Sequence, residues 1–148
     1  MNAAELQQYL HRHIPISGAM GITVEAASPD LVELRAALAA NLNHRSTAFG
    51  GSVASLAVLA GWSLLRIGLD GITPTPQIVI QRSTVEYMAP IRADFSAVCR
   101  RPSEEAWQKF MSAFIRRGRG RLKLLSDVRC EGEPAGHLAG EFVAMKSD

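Results

Sequence analysis

The chain of 148 residues reads as one α+β domain, residues 1–148. A mostly antiparallel six-stranded curved sheet wraps around a long central helix, with an extra helix before the last two strands. Three observations predict this. Asn43 to Arg66 passes from a polar turn through Phe49-Gly50-Gly51 into a run without charge from Ala48 to Leu65, too apolar for a surface helix. Segments of strand period lie on both sides of that run, two before it and four after. Between the fourth and fifth of them, Trp107, Phe110, Met111 and Phe114 fall on one face of a second helix. A helix apolar on nearly all sides must be enclosed by protein, and a curved sheet does that.

In chain order, Ala3 to His13 has Leu6, Leu10 and Ile14 at a helical spacing, stopped by Pro15. Met20, Ile22, Val24 and Ala26 alternate as one buried face of a strand, Ser28-Pro29-Asp30 turns the chain, and Val32, Leu34, Ala36 and Leu38 form the second strand of a hairpin. The central helix follows, closed by Gly68, Asp70, Gly71, Pro74 and Pro76. From Gln77 to Tyr87 the apolar parity switches: Ile78 and Ile80 share one phase, Val85 and Tyr87 the other, which predicts a bulge near Arg82 to Thr84. Phe95, Ala97 and Cys99 mark a fourth strand. Ser103 is the expected cap of the second long helix, which ends at Gly118. Arg121 to Glu131 and Gly136 to Met145 complete the sheet through a turn at Gly132, Glu133 and Pro134.

Composition narrows the function classes. The apolar run falls short of about 20 spanning residues once its loop is removed, and Ser52, Ser55, Gly61 and Ser63 dilute it, so it is expected to be core rather than a membrane span. The start of the chain lacks a basic segment followed by an apolar one, which makes a cytoplasmic protein the expectation. Cys99 and Cys130 read as buried thiols, and the four histidines lack ligand spacing, so no metal site is expected. The net charge of +2 is uneven: Arg92 to Lys123 carries +6 and the remainder −4. Arg116, Arg117, Arg119, Arg121 and Lys123 are its densest run and suit an acidic protein or phosphates. A nucleic-acid partner is the weaker alternative, because no recognised binding motif accompanies the charge.

The chemistry is expected where the central helix begins. Two glycines there permit close approach, and first-turn amides are unpaired at the positive end of the helix dipole, where a developing oxyanion is stabilised. Asn43, Gly51 and Ser52 are the candidate catalytic positions. His44, Thr47, Phe49, Gly50, Val58 and Tyr87 are candidate substrate contacts.

This order of elements, with Asn43, Phe49, Gly50 and Gly51 ahead of an apolar helix, resembles the hotdog-fold acyl-thioester proteins. Asn43, Thr47-Ala48-Phe49-Gly50-Gly51-Ser52 and Leu59-Ala60-Gly61-Trp62 more closely resemble the YiiD C-terminal thioesterase-like family, in its stand-alone form and over nearly the whole chain. The resemblance implies a homodimer or dimer of dimers with joined sheets. It implies no cofactor, and a substrate carried on the phosphopantetheine of acyl carrier protein or coenzyme A. The thioester carbonyl would sit near the Gly51 or Ser52 N–H.

Many hotdog hydrolases have a His where Phe49 stands and an acid where Val58 stands, and Val58 cannot activate water. Decarboxylation of a malonyl thioester needs no base in its bond-breaking step, and the resembled family includes malonyl-acyl carrier protein decarboxylases acting in fatty acid metabolism. That is the first expectation, with Asn43 as an oxyanion donor. The second is a thioesterase whose base lies elsewhere, at His44 or at Glu86 of a partner. A non-catalytic binder of acyl carriers or nucleic acid is the third.

Overall fold

A computed structural model describes residues 1–148. Helix α1 (Ala3–His13) opens with a capping box, Asn2 Oδ1 accepting from the Glu5 amide at 2.9 Å and Glu5 Oε2 from the Asn2 amide at 2.7 Å. Its buried Leu6 and Leu10 face the core. A short helix α2 (Ile16–Ala19) follows, unforeseen from the sequence, and Gly21 at φ 65° turns the chain into β1 (Thr23–Ala27). Met20 and Ile22, expected in that strand, precede it. Both are buried because the turn also points them inward.

Strand β2 (Leu31–Ala36) is two residues shorter than expected. Leu38 is drawn out of it into a 3-10 turn, Leu38–Ala40, by the Asp94 carboxylate, which accepts the Leu38 amide at 2.8 Å and Arg35 Nη2 at 2.9 Å. The remaining elements are α3 (Gly50–Gly68), β3 (Gln77–Tyr87), β4 (Phe95–Arg100), α4 (Glu104–Arg117), β5 (Arg119–Cys130) and β6 (Glu133–Met145). Ser103 caps α4 by accepting the Ala106 amide at 3.2 Å, and Gly118 ends it at φ 74°. The β5–β6 turn is tighter than the sequence implied. Glu131 and Gly132 both have positive φ and close a two-residue hairpin, which leaves Pro134 inside β6 at an irregularity opposite Arg129.

The six strands form one antiparallel sheet in the order β1-β2-β4-β5-β6-β3. Its inner face packs on α3. Leu56, Ala57, Ala60 and Leu64 of the helix are buried against Leu34, Ala97, Leu124, Val128, Leu138 and Phe142. Burying each such leucine or phenylalanine contributes on the order of 1.5–3 kcal/mol. Ser126 stands among these apolar residues because its hydroxyl donates to the Ala57 carbonyl at 2.8 Å, which fixes the helix on the sheet. By length and composition α3 could cross a membrane, yet most of its apolar stretch is buried in this fold. Trp62 donates its indole N–H to Ile78 O at 3.0 Å and stacks with Tyr9 of α1.

The bulge in β3 lies at Gln81, one residue before the expected place, between Ile80 paired with Phe142 and Arg82 paired with Glu141. The extra residue explains the parity switch. Ile78 and Ile80 point inward before it, Val85 and Tyr87 after it, and Glu86 points outward as the cross-strand neighbour of His137.

Candidate active site

The start of α3 is built by a stapled loop. Asn43 Oδ1 accepts the amides of Arg45 at 2.8 Å and Thr47 at 3.1 Å, while its Nδ2 donates to Thr47 Oγ1 at 2.7 Å and Ala48 O at 3.3 Å. This holds Ser46 at φ 60° and brings Ala48 against Ile91 O and Phe49 against Asn41 O. Asn41, buried, donates instead to Met20 O and Ala37 O and anchors the loop from below. Both donor hydrogens of Asn43 are therefore engaged within the loop. The residue acts here as a positioning group, whereas the sequence suggested a free oxyanion donor. Thr47 receives the Asn43 amide and keeps its own O–H available.

At the helix end the amides divide clearly. Ser52 and Val53 N–H both donate to Phe49 O, at 2.9 and 3.1 Å, so the Ser52 amide proposed from sequence is occupied. The Gly50 and Gly51 amides donate to nothing. They are adjacent donors in the first turn of a 19-residue helix, where partial positive charge is concentrated. Aromatic rings border them. The Phe49 ring lies where a side chain on Gly51 would be, 2.4 Å from its ideal Cβ, and the Tyr87 ring comes within 3.4 Å of the ideal Cβ of Gly50. Tyr87 donates its hydroxyl to Gly50 O at 3.0 Å, so its proton is committed and its ring serves as wall.

A groove of about 690 Å³ opens beside this end of the helix, lined among others by Thr47, Val53, Tyr87, Met88, Arg45 and Arg92. Seven of its eleven lining residues are apolar, the two arginines are its only charges, and neither makes an ion pair. No Asp, Glu or His lines it. His44 is exposed in the turn without a side-chain hydrogen bond, and Glu86 faces the opposite side of the sheet from Tyr87, forming no ion pair. Neither lines the groove. Val58 is half-buried on the strip of α3 that the sheet leaves open, with Ala54, Ser55 and Trp62. No cluster of three or more His, Cys, Asp or Glu residues could hold a metal ion.

The family model described as "Putative thioesterase (yiiD_Cterm)" matches residues 3–146. The chain belongs to this YiiD C-terminal family. Its fold is the hotdog, and membership places it among the acyl-thioester enzymes of that fold. Among solved structures it is similar to a Chlorobaculum tepidum protein of unknown function, at 29% identity and TM-score 0.88, covering 98% of this chain and 94% of that one. It is also similar to a "putative thioesterase" from Shewanella oneidensis, at 24% identity and TM-score 0.85, covering 97% of both chains. A thioesterase from Haemophilus influenzae shares the fold at 13% identity and TM-score 0.76, covering 99% of this chain and 92% of that one.

The YiiD-like motif has a physical role at each end. TAFGGS forms the stapled loop and the helix start, and LAGW places Gly61 under the Phe142 ring and Trp62 on the open strip. The basic residues of the sequence reading lie apart from this site, at the far end of the sheet: Arg117, Arg119, Arg121 and Lys123 line a groove between α4 and β5, and Arg116 is exposed beside them. Two features of the site were unread in the sequence. Arg45 and Arg92 come together only through the fold, and the pairing of Ala48 with Ile91 is what brings their segments side by side.

Proposed function

We propose that this YiiD-family protein decarboxylates a malonyl thioester carried on acyl carrier protein or coenzyme A, giving the acetyl thioester. The observation that carries the reading is the pair of unengaged amides at Gly50 and Gly51, whose chain neighbours Thr47, Ala48 and Val53 line a groove without acid or base. In the reaction the bond between the malonyl carboxylate and the α-carbon breaks, carbon dioxide leaves, and its bonding pair becomes the enolate of the thioester. Negative charge then develops on the thioester oxygen, and the two amides are the donors offered to it. A proton from water completes the acetyl group. Arg45 and Arg92 at the rim give the groove a positive field for an anionic substrate. Asn43 positions Thr47 and the first turn.

Hydrolysis is the second reading, favoured by the description of the family itself. It requires a base from outside the groove of one chain.

A homodimer belongs to the same proposal. Strand β3 pairs only with β6, so its other edge presents unpaired backbone along eleven residues. Val79, Tyr87, Met88 and Phe49 are exposed large apolar side chains on or near that edge. Pairing two copies there covers them and joins the sheets.

Intact-mass analysis of malonyl-carrier protein, malonyl-coenzyme A and saturated acyl thioesters after incubation tests the reading. Acetyl carrier is the expected product. Free thiol carrier with released acid would replace decarboxylation by hydrolysis, and unchanged thioesters would leave a binding role.

A further inference from the structure

The first turn of α3 begins with two consecutive glycines, the residue type with the greatest backbone freedom, and Phe49 before them supplies no side-chain cap. Little in the turn itself therefore fixes where the Gly50 and Gly51 N–H groups aim. Ser52 and Val53 donate to Phe49 O, and the Phe49 amide donates to Asn41 O at 2.7 Å, so these bonds hold the residue ahead of the glycines. The one side-chain hydrogen bond to the glycines themselves comes from Tyr87, whose hydroxyl donates to Gly50 O at 3.0 Å. It reaches the helix from the end of β3.

That carbonyl belongs to the peptide group joining Gly50 to Gly51. The group is planar and trans, so the Gly50 C=O and the Gly51 N–H point in opposite directions from one rigid unit. Holding the oxygen holds the direction of the Gly51 N–H. A hydrogen bond accepted by the carbonyl also polarises the peptide and makes its N–H a stronger donor. Neither effect extends to the Gly50 N–H, which belongs to the preceding peptide. Tyr87 is largely exposed, so solvent can satisfy Gly50 O when the hydroxyl is absent, but a mobile water does not fix the plane. The ring is a separate matter: it lies 3.4 Å from the ideal Cβ of Gly50 and stays there without its hydroxyl.

We infer that Tyr87 is a positioning residue whose hydroxyl aims the Gly51 amide at the developing oxyanion through the peptide they share. The inference rests on the oxyanion reading above. It applies equally to the enolate of decarboxylation and to the tetrahedral oxyanion of hydrolysis, since both place their charge on the thioester oxygen.

Tyr87→Phe keeps the ring and removes the hydroxyl. Steady-state turnover of malonyl thioester is compared for the wild type, Tyr87→Phe, Gly50→Pro and the double variant. The wild type and Tyr87→Phe are also labelled with glycine carrying 13C at the carbonyl and 15N at the amide. Gly50-Gly51 is the one Gly-Gly pair in the chain, so an NMR spectrum correlating each amide with the carbonyl before it contains a single peak, from the Gly50 carbonyl and the Gly51 N–H.

Tyr87→Phe should move that peak, the carbonyl carbon to higher field as its hydrogen bond is lost. It should lower kcat by about five- to fiftyfold, less than outright deletion of a donor, and change KM by less than about twofold. In the Gly50→Pro background the same substitution should cost at least as much, because Gly51 is then the sole donor. An unmoved peak overturns the inference, and so does a moved peak with kcat within about twofold of wild type. A loss that vanishes in the Gly50→Pro background would route the hydroxyl through the other amide, and a raised KM with unchanged kcat would make Tyr87 a substrate contact; either overturns it. Free thiol as the wild-type product replaces decarboxylation by hydrolysis and leaves the positioning to be decided by the same four rates. A wild type that turns over no thioester overturns the reaction and the positioning together.

Discussion

Replacing Gly50 by proline removes one hydrogen-bond donor from the helix start with little other disturbance. Gly50 is the first helical residue, where proline's fixed φ suits the helix and no helical hydrogen bond uses the N–H. Phe49 before it has φ −62° and ψ 132°, the extended conformation that proline requires of its predecessor. Folding stability should stay level or rise by about 0.4–1 kcal/mol through the less flexible unfolded chain. Gly50→Ala is the control: its Cβ would meet the Tyr87 ring at 3.4 Å, an ordinary contact, and it keeps the amide.

If the Gly50 amide binds the developing oxyanion, the proline variant should turn over about 10²- to 10³-fold more slowly than the alanine variant, or about 2.7–4 kcal/mol. Product formation followed by intact-mass spectrometry at saturating malonyl thioester gives the ratio, and thermal melts monitored by circular dichroism check folding. A folded proline variant within about threefold of the alanine control would show that this amide is no part of the chemistry. The oxyanion argument would then fail.

Further outcomes follow from other parts of the fold. Asn43→Ala, which deletes both acceptor and both donor contacts of the loop staple, should lower stability by about 1–3 kcal/mol and also slow turnover. Asn43→Asp keeps the acceptors, so denaturant titration should show stability partly recovered while turnover stays low. Gly61→Ala would set a Cβ 2.7 Å from the buried Phe142 ring. Overpacking of about 1–3 kcal/mol, offset by about 1 kcal/mol of helix propensity, should leave a lower melting temperature. Burial, helped by the nearby Asp127 charge and opposed by a Ser126 hydrogen bond, pushes the Cys99 thiol up to about 11 from 9.0. The unfolded chain therefore loses this proton first as pH rises, and stability should fall between pH 9 and about 11, a slope that Cys99→Ala removes. At pH 8 a thiol reagent should label only Cys130 until the protein is unfolded.

The sequence made the sheet, the central helix and its glycine-containing start legible because each leaves a periodic or compositional trace. Ile78 and Ile80 against Val85 and Tyr87 exposed the bulge in β3 even though its place was off by one residue, since an inserted residue must invert the apolar phase. Local electrostatics left no such trace. The withdrawal of Leu38 from β2 depends on Asp94, 56 residues away, and the alternation of Met20 and Ile22 continues through a turn that is not a strand. At the site, glycines in the first turn were readable, but which amides remain free was not. That depends on Phe49 O accepting both Ser52 and Val53, and on Asn43 turning its amide into its own loop.

Val58 sits two helical turns beyond Gly51, about 10 Å along the axis, on the open strip of α3. Every valine codon becomes an aspartate or glutamate codon by changing its middle base. One mutation can thus place a carboxylate on the strip of helix where hydrolases of this fold carry theirs, with the helix start left untouched. If the proposed decarboxylation holds, hydrolysis and decarboxylation are neighbouring solutions on one scaffold, a single base apart in the gene. Among relatives, the residue at this position should sort one reaction from the other more sharply than overall similarity does.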